Sequence, residues 1–401
     1  MQQRNSFSPR NRCPPWSVEP VRVALVRQSY NPYGGAERFN ERALPALERS
    51  GVDVSLIARS WQSGATRWEA RKIVLANPPY IGNLWRDRSF ARAAKNAWEA
   101  GNFDLVQSHE RIAGCDLYRA GDGVHAEWLE IRRASAGPFE RLGIALNPYH
   151  RYVCAAERRL FEHPRLRAVI CNSNMVREEI GRRFGLPPEK LHVIYNGVDL
   201  EHFHPRQRAA LRARARAELG VAAGETLFLF VGSGFARKGL DAAIGALAGC
   251  ANALYRLAVA GRDRDAARFA ALAAARGLGE RVQLLGGRDD VRPLYAAADC
   301  FILPTRYDPF PNAVLEALAM GLPAIVGRRS GAAETVRHGG NGWICEPDDV
   351  AGLVQLMHAA ARVAADELRD PAARAAARST AESYGIDDMA RKLTQLYATL
   401  A

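Results

Sequence analysis

Short apolar runs separated by polar and Ala-rich stretches recur along the chain, and their spacing falls into two series. The first opens with VRVALVR at 21–27, passes through SYNPYGGAERF into a helical periodicity that reaches about Arg49, and continues in the strand-like run VDVSLIAR at 52–59. The pattern loosens through 60–100, resumes at FDLVQSH (103–109), and breaks again at GDGVHAEWLEIRR. AVICN (168–172) and HVIY (192–195) predict two further strands around the helical MVREEIGRRFG, which Gly185 and the Pro187-Pro188 pair end. YNGVDLEHFHP, at 195–205, carries a turn-forming Asn-Gly and a proline and predicts a hinge.

The second series is more regular. TLFLFVG (226–232), YRLAVAG (255–261), RVQLLGG (281–287), DCFILP (299–304) and PAIVG (323–327) predict strands with helical stretches between them. Strands alternating with helices predict an α/β fold of parallel sheets with crossover helices, and two such halves hold ligands in a cleft at the carboxyl ends of their strands. The expected layout is a disordered tail at 1–20, domains at 21–200 and 201–380, and a C-terminal segment at 381–401 whose helix, Ile386 to Leu400, can cross back over the first domain.

Composition narrows the classes. A chain of 401 residues with 48% hydrophobic content can bury two cores, and a formal charge of +12 favours anionic partners. Seven cysteines without a CxxC pair suit a reducing compartment. No apolar run approaches the ~18 residues of a spanning helix, and no signal-peptide core opens the chain, so a cytoplasmic location is expected. The basic residues are dispersed and no helix-turn-helix, finger or RNA-binding aromatic signature occurs, which argues against nucleic acid as the partner.

The chemistry concentrates in LPTRYDPFPNAVLEALAMGLPAIV, at 303–326. Asp308 precedes a predicted helix and Glu316 rides on it. Asn312 can cap that helix and Gly321 with Pro323 can close it. Pro309 and Pro311 lack backbone donors, so those of Phe310, Asn312, Ala313 and Val314 are left to face an anion. GSGFARKG, at 232–239, sets Ser233 and the basic pair Arg237-Lys238 on the loop after the first strand of the second series, where a phosphate would sit; it lacks the Walker pattern. Asp263-Arg264-Asp265 has the form of a metal-binding D-x-D, but it stands at a helix start, where aspartate is favoured as a cap. No metal site is expected. His202 and His204 lack partner ligands at a metal-binding spacing.

GGAERF, NSNMVREEIGRRFG, VIYNGVDLEHFHP, GSGFARKG, LYAAADCFILPTRYDPFPNAVLEALAMGLP and GAAE with GGNGW stand in the order found in the retaining, two-domain glycosyltransferases of family 4, and the chain resembles that family. GGAERF, YRAGDGVHAEW, NPYHRYVCAAER, GSGFARKG and GRDDV are most similar to the branch that glucosylates the lipopolysaccharide core. The resemblance implies a GT-B fold of two Rossmann-like domains. It implies a nucleotide-sugar donor, UDP-glucose first, other UDP-hexoses next and GDP-mannose after, with no further cofactor, and a lipid-linked glycan acceptor reached from the inner face of the cytoplasmic membrane.

By the same resemblance, Arg237 and Lys238 grip the donor diphosphate and Glu316, the second acid of the family's E-x7-E, holds the ribose. Asp308 stands at the first acid, usually Glu, and faces the sugar. The backbone from Phe310 through Pro311 and Asn312 to Ala313 touches sugar and phosphates, and Gly287, Arg288 and Val291 border the base. Gly34 and Gly35 match a loop that approaches the diphosphate, where a side chain would obstruct it. His109, Asp122 and His125 are candidates for the acceptor side, each equally readable as a solvated loop residue.

Retention in this family needs no protein nucleophile, since a donor phosphate oxygen takes the acceptor proton. The competing chemistry is a hydrolase using Asp308 and Glu316 as paired carboxylates, and a nucleotide binder without activity is a further alternative. Trp128, Leu129 and Ile131 alternate with Arg132, Arg133, Arg141, Tyr149, His150, Arg151 and Tyr152, a basic and aromatic stretch able to seat on anionic headgroups or, equally, to be a solvated face over core aromatics.

Overall fold

The computed structural model describes residues 20–30, 44–61, 72–366 and 371–401. Gly34, Gly35 and the expected tail up to residue 19 lie outside the described residues. Two sheets organise the chain, and every strand pair in both is parallel. The first contains β1 (Val21–Tyr30), β2 (Val52–Trp61), β3 (Ile73–Leu75), β4 (Leu105–Ser108), β5 (Leu117–Arg119), β6 (Ala168–Cys171) and β7 (Leu191–Val193), in the order β3-β2-β1-β4-β5-β6-β7. The second contains β8 (Thr226–Val231), β9 (Tyr255–Ala260), β10 (Val282–Gly286), β11 (Cys300–Leu303), β12 (Ala324–Gly327) and β13 (Gly342–Cys345), in the order β10-β9-β8-β11-β12-β13. In each sheet the order reverses beside the first strand, which opens a crevice at the carboxyl ends there.

Alternation along the strands of the first sheet separates two apolar faces. Val23, Leu25, Val54, Leu56, Leu105, Leu117 and Ile170 point one way; Ala24, Val26, Ile57, Val106, Tyr118 and Val169 point the other. The second face is covered by Phe90, Ala94 and Trp98 of the helix Gly82–Ala100, with Leu160, Val176 and Ile180. The first face is covered by Leu44 and Leu47 and, from the far end of the chain, by Ile386, Met389, Leu393 and Tyr397 of the helix Ile386–Leu400. The last helix therefore belongs to the core of the first domain.

The chain crosses between domains twice in one place. Val198 N donates to Tyr384 O at 2.8 Å, and Ile386 N donates to Val198 O at 3.0 Å. The stretch expected as a hinge is thus braced by the returning strand of backbone. Further elements exceed the expectation: β3 and the helix Gly82–Ala100 occupy the loosened region, and β5 and β13 are short strands whose sequences, LYR and GWIC, carry no alternation long enough to recognise.

Candidate active site

Between β8 and the helix Leu240–Gly249 runs the loop 232–239, and its position is fixed by Gly239. That residue has φ +76°, and a Cβ on it would lie 2.0 Å from Pro304 O, so only glycine lets the loop rest on the end of β11. Lys238 is thereby buried, with Nζ 3.0 Å from Asp308 Oδ2. Arg237 Nη1 reaches the same oxygen at 3.2 Å and donates to Tyr307 O at 2.7 Å. The Asp308 backbone is held on both sides, N donating to Arg329 O and O accepting from Gly331 N. Burial alone would raise its carboxyl, but the charges of Lys238 and Arg237 outweigh burial and hold it below the usual carboxylate range.

The helix carrying Glu316 spans Asn312–Ala319, and here an expectation is corrected. Pro311 occupies the cap position and no side chain caps the helix. Asn312 Oδ1 instead accepts from Asn196 Nδ2 at 2.7 Å, an amide of the first domain's connecting segment. Tyr295 Oη donates to Glu316 Oε2 at 2.9 Å and fixes that carboxylate. The helix closes as expected, with Gly321 N donating to Leu318 O and Leu322 N to Ala317 O.

Asp263 also does something other than cap. Its Oδ2 accepts from Phe235 N at 2.7 Å and its Oδ1 from Asp265 N at 2.8 Å, so it ties down the basic loop. Asp265 precedes the helix Ala266–Ala275 without a side-chain cap bond. Among the described residues no three His, Cys, Asp or Glu side chains converge as metal ligands.

From the first domain, His109 follows β4 and faces the same cleft. Burial, then the charges of Arg27 and Arg119, hold its imidazole well below its ordinary value, so it is uncharged. His125 is pushed down to about 3 by burial and by Arg111 and His150, whose Nδ1 lies 3.1 Å from His125 Nε2. Its backbone N donates to Glu157 Oε1 at 2.7 Å, the oxygen that also receives Arg111 Nε at 2.8 Å. Asp122 is exposed on the rim, 3.9 Å from Arg111 Nη1.

A tyrosine joins the two sides. Tyr307 Oη accepts from Val124 N at 2.9 Å and donates to Glu179 Oε2 at 2.7 Å, and its ring stacks on Trp128 with centroids 6.4 Å apart. Burial pushes the Glu179 carboxyl up to about 7, against the pull of that hydroxyl.

Both sides line one cleft of about 630 Å³. Ser233, Arg237, Lys238, Gly287, Arg288, Val291, Asp308, Phe310, Pro311, Asn312, Ala313 and Glu316 lie on the side of the second domain; His109, Asp122 and His125 lie opposite. The sequence reading missed Arg27, Arg111, Arg119, Asn172, Asn196 and Tyr307, which also line it. Asn196 stood inside a motif read as a hinge and as part of the family resemblance, with no role of its own, yet it is buried, accepts from Arg119 Nη2 at 2.8 Å and bridges to Phe310 O. A second cavity of about 250 Å³, within the first domain, shares Arg27, Arg111 and Asp122 with the cleft.

The basic and aromatic stretch is rearranged relative to expectation. Trp128 faces the cleft and Leu129 is buried, while Tyr149 Oη donates to Asp87 Oδ2 at 2.9 Å. The apolar groups left outside are Phe139, 92% exposed, with Leu142 and Leu146, all on the helix Pro138–Leu146. No described helix is long and apolar enough to cross a membrane.

Comparison with known proteins agrees with this architecture. Residues 33–202 match the model described as Glycosyltransferase Family 4, and residues 212–378 match Glycosyl transferases group 1. The lipopolysaccharide glucosyltransferase WaaG of Escherichia coli K12 is 26% identical over 342 residues, 84% of this chain and 89% of that protein. A crystal structure of WaaG superposes with a TM-score of 0.80 at 24% identity, covering 93% of this chain and 99% of the other. Anabaena HepE in complex with UDP-glucose superposes with a TM-score of 0.70 at 20% identity, covering 94% and 100%. One family match falls on each domain, the two sheets repeat the same parallel order about a common cleft, and the chain belongs to the family 4 glycosyltransferases with the GT-B fold.

Proposed function

We propose that the chain transfers a hexosyl group, with retention, from a UDP-sugar to a heptose of the lipopolysaccharide core or a similar lipid-linked acceptor, UDP-glucose being the first donor. The observation that carries the proposal is the cluster of half-buried Arg237 with buried Lys238 and Asp308, facing Glu316 across the cleft end of the second sheet. The relatives support the choice of donor and acceptor: one is a lipopolysaccharide glucosyltransferase, another holds UDP-glucose.

In this reading the donor diphosphate takes Arg237 and Lys238 from Asp308, and the two cations stabilise the departing phosphate, the work a metal ion does elsewhere. Glu316, fixed by Tyr295, receives the ribose hydroxyls. Asp308, relieved of part of its ion pair, accepts from the sugar hydroxyls. The acceptor oxygen bonds to the anomeric carbon as the carbon–phosphate-oxygen bond breaks, and the acceptor proton passes to a phosphate oxygen on the same face. The protein supplies position and charge. Asp308 is unsuited to be the acid of a paired-carboxylate hydrolase, because two adjacent cations hold it ionised and leave it no proton to give.

The membrane contact is assigned to Phe139, Leu142 and Leu146 with Arg132, Arg133 and Arg141 near them, apolar groups for the acyl boundary and cations for anionic headgroups. Replacing Phe139 and Leu142 together by Ser is expected to release the protein from anionic vesicles on sedimentation while UDP binding is unchanged; undiminished sedimentation removes this helix from the membrane contact.

A screen of UDP- and GDP-sugars with extracted lipid A-core tests the activity. UDP-glucose is expected to give the largest transfer, and Lys238→Ala to lower kcat by about 10²- to 10³-fold, the usual loss of one preorganised charge contact. Tight UDP binding without transfer from any donor would overturn the enzyme reading in favour of a nucleotide binder. Preference for a GDP-sugar would overturn only the donor.

A further inference from the structure

The helix that returns from the second domain ends against β4, and a chain of two hydrogen bonds leads from it to the cleft. Tyr397 is fully buried, and its Oη donates to Gln107 Oε1 at 2.8 Å. Gln107, also buried, places Nε2 2.9 Å from His109 Nε2. His109 lines the cleft.

The direction of this chain follows from what each group can do. A phenol carries one proton to donate, an amide has one donor end and one acceptor end, and a neutral imidazole has one nitrogen of each kind. Among the described residues Gln107 is the only hydrogen-bond partner of the Tyr397 hydroxyl, so the phenolic proton finds an acceptor only when the Gln107 oxygen faces it. The reverse orientation would bury that proton unpaired. The amide nitrogen is then turned to His109, and an amide nitrogen only donates, so His109 Nε2 accepts and the ring proton resides on Nδ1. No other described residue hydrogen-bonds the ring, which leaves Nδ1–H for a ligand in the cleft.

We propose that Tyr397 and Gln107 are positioning residues that fix His109 as its Nδ1–H tautomer, making it a hydrogen-bond donor to an oxygen of the transferred sugar or the acceptor. The inference rests on reading the cleft as a glycosyltransferase site. It assigns to the crossing helix a part in the chemistry as well as in the core of the first domain, and it makes His109 a donor, not the base that a cleft histidine suggests.

The test is nitrogen-15 NMR of the full chain labelled at histidine, with the His109 signals assigned through His109→Asn. The wild-type spectrum is expected to show His109 protonated on Nδ1 and unprotonated on Nε2 near neutral pH. Tyr397→Phe keeps the ring in the core and removes the one proton that orients the amide; both tautomers are then expected to appear, with kcat for transfer falling about two- to tenfold and donor KM little changed. Gln107→Leu serves as a second variant that frees the ring without adding charge. An asparagine amide can stand near the place of Nδ1, so His109→Asn is expected to retain more turnover than His109→Gln, whose amide stands nearer that of Nε2. A wild-type ring protonated on Nε2, or a Tyr397→Phe protein with unchanged tautomer and unchanged kcat, overturns the proposal. No transfer by the wild-type protein from any donor would sink the transferase reading, while the spectra would still decide the tautomer.

Discussion

Asp308 is the residue on which the proposed donor site turns. It is buried, it stands where the family's pattern usually has glutamate, and it neutralises two cations placed where a diphosphate is expected. Because its folded-state pKa lies below the ordinary one, its ion-pair stabilisation is fully present above the ordinary carboxylate value and is lost only as pH falls through the lowered one. Around neutrality it therefore acts as a fixed charge that a phosphate must displace. Asp308→Asn removes the competitor but keeps a polar group of the same size. UDP alone is expected to bind more tightly, by roughly two- to tenfold, because the cations no longer have an internal partner. Transfer is expected to slow by about tenfold or more, since a carboxylate contact to the sugar is lost. Calorimetric titration with UDP beside steady-state kinetics separates the two effects. Unchanged UDP affinity would mean that Asp308 does not compete with the diphosphate.

Among the elements, the loop of Tyr307 matters most, because it carries a second-domain side chain into the first domain. Its hydroxyl engages Val124 N on one side and Glu179 on the other, and Glu334 adds a parallel tie by accepting from Asn174 N at 3.0 Å, Met175 N at 2.8 Å and Tyr195 Oη at 2.7 Å. The Glu179 carboxyl has its value raised to about 7 by burial, so the folded protein holds that proton more tightly than the unfolded chain. Its contribution to stability is complete below the ordinary glutamate value and is lost as pH rises through about 7. The neutral imidazoles of His109 and His125 add stability as pH rises through the lower part of the interval, so Glu179 is read as a difference: between pH 5.5 and 8 the wild type is expected to lose roughly 2 kcal/mol relative to Glu179→Gln. Parallel slopes in the two proteins would show that Glu179 does not titrate in this interval. Neither tie was legible in the sequence. Continuous apolar runs such as TLFLFVG and CFIL announced their strands, and Pro and Gly around 309–323 announced the helix of Glu316, because burial and backbone geometry are written locally. Tyr307 and Glu179 are 128 positions apart, and Asn196 and Asn312 are 116 apart. Such pairs exist only once both sheets are in place, so a residue read as a helix cap proved to be a bridge across the cleft.

At the scale of the molecule, two domains are joined by two passes of chain that lie against each other, and their contact leaves no room for a side chain. A Cβ on Gly197 would lie 2.5 Å from Ile386 Cα and 3.1 Å from Gly385 O, both backbone atoms that cannot rotate away. The contact precedes the helix whose Ile386, Met389, Leu393 and Tyr397 cover one face of the first sheet, so displacing it shifts that whole apolar layer. The motif read from sequence as a hinge is consequently a point of closest approach, and the domain arrangement depends on it. Gly197→Ala is expected to destabilise the fold by about 1–3 kcal/mol, the usual range for overpacking, and toward its upper end because the atoms it meets cannot yield. That corresponds to a fall in Tm of several degrees for domains of this size. Gly143→Ala supplies the comparison: it lies within a helix, nothing would be within 4 Å of its Cβ, and it is expected to stabilise by up to about 1 kcal/mol. Scanning calorimetry of the two variants decides the matter. If Gly197→Ala melts with the wild type, the two passes can separate without cost and the crossing helix is held to the first sheet by its apolar face alone.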